Sequence, residues 1–316
     1  MHERALLPSL LPLLLLLLAT SCRAEPGDGA GGAGTSAAAD TAMVRYQREY
    51  VFLGVRGESP LVAPLVFRSV LRGDSIERFA HAGLAHGPTW DPYLDLSWSS
   101  HRSSGVWRVL PHGDLRVAVG GPAEVEGFWF HQGDRNLRLE LTRPVSGWNQ
   151  GNTARFRLVS GRLRLGPEST PGVVLESLQI LRPGQARRDS DWLFLTSGDS
   201  LRMVLAESQP RTAGAQARGF AWAWLPGGER AWERAEVRWL EVRSYDDARR
   251  DIPLQWSFRA PEGGLQGEVS AMGMDPRVGP ERPGRRAVEV RYTVEGWVEI
   301  DGRRSAVLGT VRHVQE

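Results

Sequence analysis

Histidine and carboxylate residues crowd one stretch of this 316-residue chain. Five of its seven histidines fall between His81 and His131. The densest part, His81 to His101, also carries Trp90, Asp91, Tyr93, Asp95 and Trp98. Asp91, Asp95 and His86 are the candidate acid–base residues, provided the polar face of their strand lines a cavity where burial can tune proton affinity. The His81-x4-His86 spacing is not that of a common zinc motif, and the glycines and proline around it set no helical face, so no metal and no cofactor is expected. All 39 basic residues are arginine, which excludes Schiff-base and lysine general-base chemistry. No G-x-S-x-G, H-E-x-x-H, Walker or Rossmann motif occurs beyond residue 22. Twelve tryptophans form a second excess. Trp90, Trp98, Trp107, Trp222, Trp224 and Trp256, with Tyr93, are candidates to line an apolar ligand cavity.

The elements that would position these groups read as strands. Apolar residues alternate with polar ones at Leu94, Leu96 and Trp98, leaving Tyr93, Asp95 and Ser97 on the other face. The same period recurs at Leu115 to Val119, Leu137 to Leu141, Phe156 and Leu158, Phe220 to Trp224, Leu254 to Phe258, Val288 to Val294 and Ala306 to Thr310. In residues 230–243, Trp232, Ala235 and Trp239 could form a helical stripe, but Val237, Trp239 and Glu241 against Arg238, Leu240 and Val242 favour a strand covered on both faces. Gly-containing turns at 112–114, 132–134, 197–199, 226–228 and 301–302 separate the runs, so consecutive hairpins are expected. The expected class is all-β: two tandem antiparallel lipocalin-like barrels or sandwiches. The Pro/Gly stretch Gly166 to Gly172 predicts a boundary, giving domains 43–168 and 169–316. Pro276 to Arg286 reads as mobile surface.

The N-terminus predicts an address. An apolar run from Ala5 to Ala19 is shorter than the roughly 20 residues a membrane-spanning helix needs, and suits a signal peptide over residues 1–21. It ends Leu18-Ala19-Thr20-Ser21-Cys22, which resembles the lipobox of bacterial lipoproteins and implies lipidation of Cys22, the only cysteine. In such proteins a residue other than Asp after the cysteine, here Arg23, implies the outer membrane, facing the periplasm. Residues 22–42 are poor in large apolar side chains and read as a flexible tether reaching roughly 25 Å. The net charge is +2 and acidic residues are interleaved with the arginines, so no nucleic-acid partner is expected. The expected partners are a membrane, through the anchor, and an apolar small molecule.

The last hundred residues carry a further resemblance. Gly219 to Trp224 is followed by a glycine turn, then Ile252-Pro253-Leu254-Gln255-Trp256, Pro261-Glu262-Gly263-Gly264-Leu265, and Tyr292-Thr293-Val294-Glu295-Gly296. This order resembles the AttH-like and carotenoid 1,2-hydratase-like proteins. The resemblance implies tandem lipocalin-like barrels and, if activity follows fold, a cofactor-independent hydratase or isomerase. The leading expectation is an anchored carrier of a lipid or terpenoid rather than an enzyme; the alternatives are a hydratase or isomerase acting on an apolar substrate, and a structural envelope lipoprotein without a ligand.

Overall fold

The computed structural model describes residues 45–315 except 106–108, 121–123, 151–153, 182–189, 199, 208–216 and 283–284. The expected signal peptide, Cys22 and tether lie outside the described residues, as does Trp107. Among the described residues no helix is long and apolar enough to cross a membrane.

The alternation does become strands, and the class is all-β. A first sheet begins with four consecutive hairpin-linked strands: β1 (Arg45–Arg56), β2 (Ser59–Arg72), β3 (Ser75–His86) and β4 (Thr89–His101). It continues with β5 (Leu115–Val119), β6 (Val125–Gln132), β7 (Arg135–Gln150), β8 (Ala154–Leu165) and β9 (Glu168–Leu181). Strand β9 returns to pair with β1, giving the order β4-β3-β2-β1-β9-β8-β7-β6-β5. The sheet curls until its ends meet through side chains. Tyr93 of β4 packs edge-on to Phe130 of β6 at 5.5 Å, and Trp98 stacks on His112 at 4.7 Å. Tyr50, Phe52, Phe67, Phe128 and Leu139 fill the space inside the curl.

The remaining strands form a closed eight-stranded barrel: β10 (Ser190–Thr196), β11 (Arg202–Glu207), β12 (Ala217–Leu225), β13 (Gly228–Tyr245), β14 (Arg250–Arg259), β15 (Leu265–Arg282), β16 (Arg285–Ile300) and β17 (Arg303–Gln315). Every neighbouring pair is antiparallel, and β10 closes on β17. The glycine turns act as expected. In the β16–β17 turn both Asp301 (φ 51°) and Gly302 (φ 79°) are left-handed, the pattern of a two-residue hairpin whose twist matches its strands. Residues 230–243 lie within β13 as a strand, but only one face is covered: Trp232, Ala235 and Val237 are buried, while Leu240 and Val242 stand exposed on the other face.

Three further expectations need correction. The stretch 166–172 is the β8–β9 hairpin, with Leu165 opposite Glu168, so β9 belongs to the first sheet and the division falls after Leu181. Pro167 occupies the turn, where no ladder donor is needed. The described part of the stretch from Pro276 to Arg286, Pro276–Arg282 and Arg285–Arg286, is not a loop but the paired ends of β15 and β16, with Val278 opposite Val288. Tyr93 does not share a face with Asp95: the register slips between Ala82 and Gly83, and Tyr93 packs against the core inside the curl.

A third core joins the two halves. Odd residues of β10 enter the barrel, while Trp192 and Phe194 leave it to meet Val51, Leu53, Phe156, Leu158, Val173 and Leu175 on the outside of the first sheet. Trp148 bridges the contact, stacked on Phe156 at 5.3 Å and on Trp222 at 5.2 Å. Each large side chain fully buried there contributes about 1.5–3 kcal/mol. Beside this core lies a buried ion cluster. Arg291 of β16 pairs with Glu49 of β1 and with Glu289 (3.0 Å). Arg312 of β17 reaches Glu289 at 3.0 Å and Glu49 at 3.9 Å, and Arg68 of β2 closes on Glu289. The Glu49, Arg291 and Arg312 side chains are about 2 % exposed or less, so each charge depends on its partners rather than on water.

Candidate active site

The acid–base residues expected from the sequence do not converge. Asp91 sits at the end of the sheet, about half exposed, where its carboxylate accepts a hydrogen bond from Arg135 at 2.9 Å. Asp95 leaves the opposite face of β4, is 79 % exposed and pairs with Arg277 of β15 at 3.5 Å. His86 is exposed and its Nε2 lies 3.4 Å from the Arg56 carbonyl. The structure therefore gives none of the three a closed cavity. His81 and His86 leave opposite faces of β3, as the strand period requires.

The aromatic candidates divide among three environments. Tyr93 and Trp98 pack inside the curled sheet. Trp90, Trp222 and Trp224 lie in the core between sheet and barrel. Of the described candidates, only Trp256 points into the closed barrel.

His81 titrates far from its ordinary value. Its Nδ1–H donates to the Leu94 carbonyl at 2.9 Å and its Nε2 is buried. Burial, with the positive charges of Arg277 and Arg291, pushes its pKa down to about 3. The unfolded chain takes up this proton near pH 6.5, whereas the folded chain holds out to about pH 3. The stability that neutral His81 contributes is thus complete above pH 6.5 and is lost as the pH falls toward 3, by at most about 1.4 kcal/mol per unit. Denaturant midpoints measured across that range should fall less steeply in His81→Phe than in the parent.

A different set of groups meets inside the barrel, where first and last strands join. Asp191 of β10 lies directly across from His313 of β17, and both are 1 % exposed. The His313 Nδ1 is bonded to Asp191 Oδ1. The indole N–H groups of Trp239 (β13) and Trp256 (β14) cross from the opposite wall and donate to Asp191 Oδ2 at 2.9 and 3.0 Å. The Asp191 backbone N–H donates to Glu207 at 3.1 Å. Tyr292 of β16 is the diagonal neighbour of His313, since Val290 faces His313 and Val311 faces Tyr292. Its ring packs edge-on to Trp256 at 5.0 Å, and the Trp239 ring stands edge-on to His313 at 5.1 Å.

This constellation has the chemistry of a proton shuttle. Asp191 holds the imidazole with hydrogen on Nδ1, which leaves the Nε2 lone pair as the base; the carboxylate also stabilises the imidazolium once formed. His313 Nε2 and the Tyr292 hydroxyl are both buried and have no hydrogen-bond partner among the described residues. Burial first, then the Asp191 charge, raises the Tyr292 pKa, with Arg243 opposing, so the phenol stays protonated and can donate to an oxygen. The surrounding Leu193, Val237, Val290 and Val311 are apolar and exclude water. Sequence reasoning passed over Asp191 and His313. The available signal was their register: each stands at an inward position among apolar neighbours, Leu193 and Leu195 in one strand, Val307 and Val311 in the other.

No protein-family model matches the chain, and no curated protein matches it in sequence. Solved structures do match in fold. A Nitrosomonas europaea protein assigned as an AttH superposes with a TM-score of 0.55 at 12% identity, over 85% of this chain and 92% of that one. Kievitone hydratase from Nectria haematococca gives 0.56 at 12% identity, over 86% and 89%. CghA, solved with Sch210972, gives 0.53 at 12% identity, over 86% and 88%. The AttH-like and hydratase-like resemblance read from residues 219–316 thus extends, as fold, over most of the chain.

Proposed function

We propose that the chain is a cofactor-independent acid–base enzyme of the hydratase or isomerase type, acting on an apolar substrate inside the closed barrel. The observation that carries this reading is the buried Asp191–His313 pair, whose Nε2 has no hydrogen-bond partner among the described residues and lies among aromatic and aliphatic side chains. As imidazolium, His313 delivers its proton to an alkene carbon. As the neutral base it then takes one back, from the water that attacks the resulting cation in hydration or from the C–H beside that cation in isomerisation, so the proton count closes. Tyr292 hydrogen-bonds the oxygen that is added or lost. Trp239 and Trp256 hold Asp191 in place and present apolar faces to the substrate. The fold shared with kievitone hydratase supports this reading over a purely structural role.

The test is deuterium incorporation from D2O into a panel of acyclic terpenes and other alkenes, followed by mass spectrometry. His313→Gln should lower turnover by about 10²–10⁴-fold, and Tyr292→Phe by about 10²-fold. Unchanged turnover in His313→Gln would reject the assignment. Ligand binding seen by tryptophan quenching, with no exchange in any variant, would instead make the protein a carrier of an apolar molecule.

We also propose that the enzyme works from a membrane surface, tethered through a lipid on Cys22 in the outer membrane. The lipobox-like Leu18 to Cys22 and the small-residue tether support this. Labelled palmitate fed to an expressing bacterium should appear in the parent protein and not in Cys22→Ser; equal labelling of both would overturn it. More than one acyl chain makes such an anchor stable, whereas a single chain holds only marginally.

A further inference from the structure

The outer face of the first sheet carries, beyond the region that packs on the barrel, a row of cations around one indole. Arg116 of β5 is directly opposite Trp129 of β6. Trp129 is opposite Arg138 of β7, and Arg138 is opposite Arg164 of β8. Arg162 is on the same face, one rung along, opposite Glu140. Directly opposed residues share a face, so these side chains form a ladder across four strands. All four arginines are exposed and Trp129 is half-buried, with the Arg138 guanidinium 5.0 Å from its ring centre. Arg138 and Arg164 share Glu140 at 2.9 and 3.8 Å. Arg116 and Arg162 pair with no carboxylate among the described residues. An open groove of about 850 Å³ runs along this end of the sheet, lined in part by Arg116, Trp129, Asn136, Arg138 and Arg164.

Such a row is unfavourable by itself. Like charges set directly opposite each other across two strands destabilise the pair, and Arg138 faces Arg164 with one carboxylate between them. A line of anions laid along the row reverses that sign. We propose that the ladder binds a linear anionic polysaccharide, with uronate carboxylates on Arg116, Arg138, Arg162 and Arg164 and a sugar ring against Trp129. Strands stand about 4.8 Å apart, so Arg116 and Arg138 are about 10 Å apart with the indole between them. That places an apolar ring face between two cations, which is how alternating sugar rings and carboxylates present themselves along such a chain. A single-stranded nucleic acid would call for successive stacking rings, and only one aromatic lies in the ladder. An anionic bilayer would meet a broad basic patch rather than a narrow row, one arginine wide except on β8, where Arg162 stands one rung from Arg164.

Affinity electrophoresis of the full chain through gels containing polygalacturonate, with dextran as the uncharged control, tests this. Polygalacturonate should retard the parent protein, less so as salt rises, and dextran should not. Arg116→Glu combined with Arg162→Glu should weaken retardation by about tenfold or more. Trp129→Leu should weaken it while leaving the salt dependence, with circular dichroism confirming the fold of both variants. Three results would overturn the proposal: no retardation of the parent, equal retardation of the double variant, or tighter binding to oligodeoxythymidylate or to vesicles containing phosphatidylglycerol.

Discussion

Asp191→Ala should lose about 4 kcal/mol of folding stability in urea denaturation, together with all turnover above background. The carboxylate is the shared acceptor for two indole N–H groups and one imidazole. Removing it strands three buried donors, and each buried donor left without a partner costs about 1–3 kcal/mol. Asp191→Asn separates structure from chemistry. The amide keeps the volume and one acceptor oxygen, so most of the stability should remain. It no longer fixes hydrogen on Nδ1 of His313, and the comparable change in a hydrolase triad lowers turnover about 10⁴-fold. A near-native melt with normal turnover in Asp191→Asn would show that the pair only fills the barrel.

The second large effect is expected at Glu49. Glu49→Ala should destabilise the protein by about 3–5 kcal/mol, because Arg291 and Arg312 then stay buried beside one carboxylate instead of two. Arg56→Ala is the matched control. Its partner Glu168 is also largely exposed, and the loss there should stay under about 1 kcal/mol. If the two substitutions cost the same in urea, the buried cluster contributes nothing that a surface pair does not.

The hairpins were legible because each depends on neighbours in the chain. A period of two and a glycine with positive φ at the turn suffice to place β6 with β7 or β16 with β17. What could not be read locally was pairing at a distance. Nothing between Gly166 and Gly172 reveals that β9 returns to β1, so a turn rich in proline passed for a boundary. Asp91, Asp95 and His86 drew attention because they cluster in sequence, yet a strand sends successive side chains to opposite faces and the end of a sheet exposes them. Asp191 and His313 lie 122 positions apart and meet only because the barrel closes its first strand on its last. Trp222 and Trp224 alternate with alanines, which marks an apolar face but not what it packs on. Their even register turned them away from the barrel interior, onto a partner surface that the sequence of β12 does not mention.

Strands β10 and β11 show what that partner surface implies. Trp192 and Phe194 face the first sheet, while Leu193 and Leu195 face the barrel interior, and Val204 and Ala206 alternate with Met203 and Leu205 in the same way. Neither strand has a wet side. An expression clone starting at residue 190 would therefore present Trp192, Phe194, Val204 and Trp222 to solvent as one greasy plate, and would be recovered in inclusion bodies rather than as a free-standing module. For a protein engineer the practical unit is the whole span from β1 to β17. Swapping the barrel of one such protein onto the curled sheet of another would require both sides of the plate to be exchanged together.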